Sequence, residues 1–437
     1  MTVHTLKSPV DLGLAEQFQA LLPHLPGTAA RKKAFAQFEK TGLPGRRLEA
    51  WHYTDWRAMQ KSVLPPVSSE SSEDLALASV MQDPFSGIKA YDALLVNAQG
   101  ILTGDRVDFA EVLELSEAIR SGHPLIAHLG TAFSAASDPM AALNEAMYLG
   151  GVLARIKKGS KLALPIHAFS TGGSSVPASL HARALVIVED DVELTLLDTV
   201  VGPDDVENQV STVVEFIIGR NAKVEYVTFN GLGRRTLGFT GVGVRMGAHS
   251  EFSTINIAVG GAVARHQVHV AMEGEGGKLG VRGIALLNGN QHADSTLAID
   301  HIAPGCESRE LFRTVVDGEA TGVFQGRIMV KKDAQKTDGQ MASNALLLSE
   351  GASMNNKPEL EIFADDVVCA HGATCGELDE DLLFYLQARG LPRKEAEALM
   401  IHAFVGEVLE FVSHEEARER LNGVVERWLK ARVGEGA

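Results

Sequence analysis

Two acids, a cysteine, a histidine and a second cysteine fall between Asp365 and Cys375, inside the run PELEIFADDVVCAHGATCGELDEDLLFYLQARG that spans Pro358 to Gly390. If Val367 to Cys375 is extended, side chains two apart share a face. Cys369, His371 and Cys375 then form one row of soft ligand atoms. A strand rises ~3.3 Å per residue, so Cys369 and His371 stand ~6.6 Å apart at the backbone, close enough to converge on one metal or cluster. Cys375 stands ~20 Å from Cys369 on the same arithmetic and joins them only if Gly372 breaks the strand. A closed zinc site takes four ligands, and iron–sulfur clusters are usually held by four, mostly thiolates. The chain offers two comfortably, so a partner surface is expected to complete the set. The plain alternative stays open at this point: a cysteine is often a small buried hydrophobe.

The elements that must hold this row divide the chain in three. Over residues 1–150, Leu14, Phe18, Leu21 and Leu22 lie on one helical face, and Ala34, Phe35 and Phe38 mark a second helix. Pro65 to Asp74 reads as a linker, Tyr91 to Val96 as a strand, and Ala110 to Arg120 and Pro139 to Tyr148 as short helices. Over residues 151–378 short Val-, Ile-, Thr- and Phe-rich runs alternate with Gly, Asn and Asp turns, with no amphipathic helix between them, which excludes a doubly wound α/β sheet. Val224, Phe252 and Val281 recur at about 28 residues, each after a Gly-led turn. That repetition favours a β-solenoid over a sandwich or barrel. Over residues 379–437 two apolar stripes, one through Ile401, Val405 and Val408 and one through Leu421, Val425 and Trp428, predict helices. Asp379 to Asp381 sit at the first helix start, and Ser413-x-x-Glu416 reads as a capping box. So short a tail must pack on the last coil or on another protein.

The run ADDVVCAHGATCGELDEDLLFYLQARGL resembles the signature of the SufD family, subunits of the bacterial SUF scaffold for iron–sulfur cluster assembly. Two further stretches resemble the same family: KTDGQMASNALLL, from Lys336 to Leu348, and RLEAWHYT, from Arg47 to Thr54. The resemblance implies a right-handed parallel β-helix between helical end segments. It implies a non-catalytic scaffold subunit that pairs with SufB and docks the ATPase SufC through its C-terminal helices. A transient cluster would form at the SufB interface, with Cys369 and His371 as the cluster- and metal-binding residues. Cys375 stands where the family is commonly apolar, and no role is carried onto it. The resemblance also leaves room for a homodimer of the isolated chain and for a flavin on the complex.

The rest of the sequence narrows the function by exclusion. A net charge of −16 disfavours nucleic acid, which needs a basic face. Three cysteines in 437 residues, Cys306 being the third, make no disulfide framework and fit a reducing compartment. The N-terminus lacks a basic start followed by an apolar core, and no apolar run approaches ~20 residues. A cytoplasmic protein without a membrane span is therefore expected. There is no phosphate-binding P-loop, no nucleophile elbow and no His-Glu-x-x-His. His266 and His269 are three apart, on opposite faces of a strand. His292 with Asp294 and His301 with Asp300 could form carboxylate–histidine pairs, though such groups more often satisfy turns. Cys306 follows a Pro-Gly turn, where a thiol can be exposed but nothing nearby activates it. Trp51, Tyr53 and Trp56 form an aromatic cluster. A polysaccharide-active β-helix enzyme is the competing reading, but there is no Trp between Trp56 and Trp428 to stack on sugars.

Overall fold

In a computed structural model the described residues are 8–67, 72–96, 99–102 and 108–433. From Gly150–Ile156 onward, successive strands fall alternately into a nine-stranded and a ten-stranded sheet. Pairing is antiparallel only at the N-terminal end, between Tyr91–Val96 and Gln99–Leu102 and between Ala110–Glu114 and Gly150–Ile156. Everywhere else it is parallel, down to the final strands Ser353–Ile362 and Val368–Gly376. The result is a parallel β-helix of about eight turns with helices at both ends, the class expected from the sequence.

Each coil turns through one residue held at positive φ. Asp191, Asn221, His249, Gly276, Gly305 and Lys336 occupy this position, with φ between 55° and 69°. They stack, because each amide hydrogen-bonds the next coil: Asn221 to the Ala248 carbonyl, His249 to Glu275, Gly276 to Pro304, Gly305 to Gln335. Asn, Asp and Gly tolerate this conformation, which is why they punctuate the sequence there. The true repeat runs Val224, Phe252, Leu279, Ser308, Gly339, Cys369. Val281, expected in this column, stacks instead on Thr254, two residues along. Both positions face inward, so apolar spacing alone could not separate them.

The coil interior is filled unevenly. Val224, Phe252, Phe216, Val244 and Val270 pack one half solidly. The other half is lined by a lane of small and polar side chains: Ala168, Asp198, Thr228 and Asn256 on one sheet, Ala182, Thr212 and Thr240 on the other. The Phe312 and Phe324 rings, 4.8 Å apart, fill the lane further along. Within it lies a cavity of about 220 Å³, which left empty costs on the order of 5 kcal/mol. On the outer edge the strand starts carry charges of alternating sign, Lys161, Glu193, Lys223, Glu251, Lys278 and Glu307 stacked in order.

The N-terminal helices Pro9–Leu21 and Thr28–Thr41 are as expected, and Pro139–Met147 packs beside them. Ala110 to Arg120 is not one helix: Ala110–Glu114 is a strand, and the helix starts at Leu115, capped by Glu114. In the expected linker Val67 is buried and a helix begins at Ser72, while 68–71 lie outside the described residues. The aromatic cluster is packing. Trp51 is buried under the Arg265 guanidinium at 3.8 Å, and its indole N–H donates to Asp138 at 2.7 Å.

The C-terminal helices Arg393–Leu409 and Glu415–Val433 do not sit on the last coil. Val405, Val408, Leu421 and Val425 lie against Ile255, Ile257, Ile284 and Val315, on the outer face of the ten-stranded sheet several coils back. That face is apolar there because it is covered. Ser413 is not the cap of the last helix. It is bonded to Glu225, and His414 Nδ1 accepts the Ala417 amide instead. Among the described residues no helix is long and apolar enough to cross a membrane.

Candidate functional site

Val368–Gly376 forms a single strand, unbroken at Gly372, and is the outermost member of the ten-stranded sheet. It pairs in register with Asp338–Leu347: Cys369 with Gly339, His371 with Met341, Cys375 with Ala345. The Val368 amide donates to the Thr337 carbonyl at 2.9 Å. In a parallel ladder the backbone groups of even positions therefore face the sheet, and those of Cys369, His371, Ala373 and Cys375 face the open edge. Edge strands are usually blunted by charge or proline. The neighbouring final strand, SMNNKPELEI, has Lys357, Pro358, Glu359 and Glu361. VCAHGATCG has none of these. Its first residue, Val368, is 64% exposed, and Phe363, between the two strands, is 61% exposed.

Cys369 and His371 stand two residues apart on this edge strand. Cys369 is half-buried against the end of the core, with its sulfur over Gly339, where a Cβ would lie 3.7 Å away. Burial pushes its thiol pKa up, with Asp338 and Glu310 adding to the effect against a backbone hydrogen bond from Gly339. The thiol is therefore protonated in the isolated chain, and a metal must displace that proton. His371 is exposed one position further in the same row. Cys375 is exposed on the same strand, and burial of its surroundings raises its thiol pKa too. Because the strand runs straight through Gly372, Cys375 stays ~20 Å from Cys369 and does not join the pair.

Cys306 is fully buried, not exposed at its turn. Its sulfur approaches the Gly274 carbonyl at 3.4 Å, and burial raises its pKa. His266 faces the coil interior and His269 faces outward against Phe133, and burial lowers both to about 4. His292 and Asp294 meet through the Thr54 hydroxyl, a structural tie between the N-terminal segment and the sheet. His301 lies inside the coil, 3.0 Å from Ser308 Oγ, whereas Asp300 pairs outward with Arg327. Among the described residues no three His, Cys, Asp or Glu side chains gather as a metal site.

One functional candidate escapes a reading for motifs. Glu310 stands in the inward column Val281, Glu310, Met341, His371. It is buried, and neither carboxyl oxygen makes a hydrogen bond of good geometry among the described residues. Burial pushes its pKa up to about 8, against smaller opposing pulls from Ser308, Arg309 and Arg282. At neutral pH it is an uncharged acid two rungs beneath the exposed histidine. The signal in the sequence is its alternation with Phe312 in SRELFRTVV, which places an acid where the period demands an apolar residue.

Comparison with known proteins identifies the family. Residues 169–404 match the family model described as SUF system FeS cluster assembly, SufBD core domain. The chain is 26% identical over 392 residues to the iron–sulfur cluster assembly protein SufD of Escherichia coli, covering 88% of this chain and 89% of that protein. It is 29% identical over 404 residues to an iron–sulfur cluster assembly SufBD family protein of Synechocystis, covering 88% and 87%. It is 28% identical over 297 residues to SufD of Bacillus subtilis, covering 67% of each. With more than half its length matched, and with the solenoid that the sequence resemblance implied, the chain belongs to the SufBD family of the SUF system for iron–sulfur cluster assembly.

Proposed function

We propose that the bare edge of Val368–Gly376 is the seam at which the sister subunit SufB docks and a transient iron–sulfur cluster is built. The observation that carries this reading is an unblunted, uncharged strand edge with Cys369 and His371 on it. Addition of a partner strand would satisfy the outward backbone groups and cover Phe363 and Val368. Cys369 and His371 supply two ligands and leave the others to the partner. A cluster held across a seam is released when the seam opens, which suits a product that must be handed on.

In this reading the chain is a non-catalytic, cytoplasmic scaffold that binds neither nucleic acid nor membrane. ATP hydrolysis belongs to SufC, docked on the C-terminal helices, where Leu382, Phe384, Tyr385 and Leu399 stand exposed. The reading needs no flavin. The polysaccharide-active alternative falls with family membership.

The test is His371→Ala, co-expressed with SufB and SufC. The complex should elute intact, with its iron and acid-labile sulfide reduced by half or more. Unchanged iron and sulfide would remove His371 from the mechanism.

A further inference from the structure

We propose that the hollow inside the first coils is a binding site for a small neutral hydrophobe of one or two rings that carries a single hydrogen-bond donor. The proposal does not depend on the cluster chemistry at the other end of the solenoid.

The hollow arises from the choice of inward residues. Ala154, Ala168, Ala182 and Ala184 stand in the columns where later coils place Ile328, Phe312, Phe324 and Val268 in turn. These alanines face inward yet keep part of their surface open, so the coil has not closed on them. The space measures about 220 Å³. An apolar cavity of ~150 Å³ stays dry and takes up benzene, so this one has room for a fused bicycle such as indole.

Its walls are not uniform. Ile166, Val186, Leu194, Leu196 and Val214 make the sides apolar. At one wall stand Asp198, Tyr226, Thr228 and Asn256. The Tyr226 hydroxyl donates to Asp198 Oδ2 at 2.6 Å, and the Thr228 hydroxyl donates to Asn256 Oδ1 at 2.8 Å. Both hydroxyl donors are thus spent, and the one hydrogen bond at the Asp198 carboxyl falls on Oδ2, which leaves Oδ1 to accept from a ligand. The wall thus offers an acceptor at Asp198 beside the amide nitrogen of Asn256, and a single donor on the ligand is matched by the former. An anionic head is disfavoured beside a carboxyl, and a head without a donor leaves that oxygen unmatched. A pocket with apolar sides and a few convergent polar groups is the usual form of a small-molecule site. Burial lifts Asp198 to about 6, so at pH 7.5 it is mainly an acceptor.

The experiment uses the full chain, with indole as probe and indene as its donor-free isostere. Calorimetry at pH 7.5 should show saturable binding of one indole per chain, with indene at least tenfold weaker. Hydrogen exchange with indole present should slow in the strands Ile166–Thr171 and Ala178–Val188. No saturable indole binding, protection confined to other strands, or equal affinity for indene would each overturn the proposal. Ala168→Leu and Ala184→Leu fill the hollow, and whichever of them folds should bind indole at least tenfold more weakly; undiminished binding would place the site elsewhere.

Discussion

At the N-terminal end of the solenoid the sheets finish in antiparallel strands, and the helix Leu115–Arg120 closes over one of them with Leu115, Ala118, Leu153 and Leu185 buried together. At the C-terminal end they stop at two parallel strands, and the last residues of the core, Met354, Leu360 and Cys369, are only partly covered. Both ends face the same problem, a coil with no successor. The first is solved within the chain, and its residues serve stability. In the reading proposed above, the second is left for another protein, and its residues serve assembly. Substitutions at the two ends should therefore fail in different assays.

The sharpest attempt to break this contrast is Ala373→Pro. It removes an outward-facing amide without touching the ladder to Asp338–Leu347, and its ring obstructs an incoming strand. It should cost about 3 kcal/mol of partner binding, seen as a roughly hundredfold loss of co-elution with SufB and SufC, while the isolated chain keeps its circular dichroism. Leu115→Ala should do the reverse. The cavity should lower unfolding free energy by about 3 kcal/mol in urea titration and leave co-elution unchanged. If both variants lost stability and neither lost the partner, the open end would be merely a fraying terminus.

A smaller effect is expected at Glu310, between core and seam. In the folded chain its carboxyl keeps the proton up to about pH 8, whereas unfolded it releases it near pH ~4.3. Its contribution is thus full below the lower value and is lost as pH rises toward the upper one. Glu310→Gln should flatten that fall and gain about 2 kcal/mol over the native chain at pH 9, read by urea titration across pH 5–9. Least of all should change in Cys375→Val: about 0.5 kcal/mol or less, with iron content preserved, because that thiol stands a strand's length from Cys369.

The solenoid was legible because its turns need left-handed residues, and Asn221, Gly276 and Gly305 mark them in the sequence. Its register was not: Val281 and Leu279 are both inward and apolar, so spacing could slip by one pair. Ala110–Glu114 was misread because AEVLE fits a helix as well as a strand, and only the partner Gly150–Ile156 decides. Ser413 looked like a cap until Glu225, distant in sequence, claimed it. Cys369 and His371 could be set in one row from the sequence because a strand fixes which side chains share a face. Glu310 was missed because what distinguishes it is the lack of a partner, which no string of letters displays.

The alternating charges on the coil edge have a consequence for how such a molecule can change length. Deleting one whole turn between Glu193 and Glu251 would set two carboxylates on adjacent rungs, while deleting two turns would restore an acid beside a base. Each such contact is weak, about 0.2–1 kcal/mol, but its sign depends only on whether the number of turns lost is odd or even. Over the six rungs from Lys161 to Glu307 the stack therefore counts in twos, and a relative shortened or lengthened within that stretch should differ from it by pairs of turns.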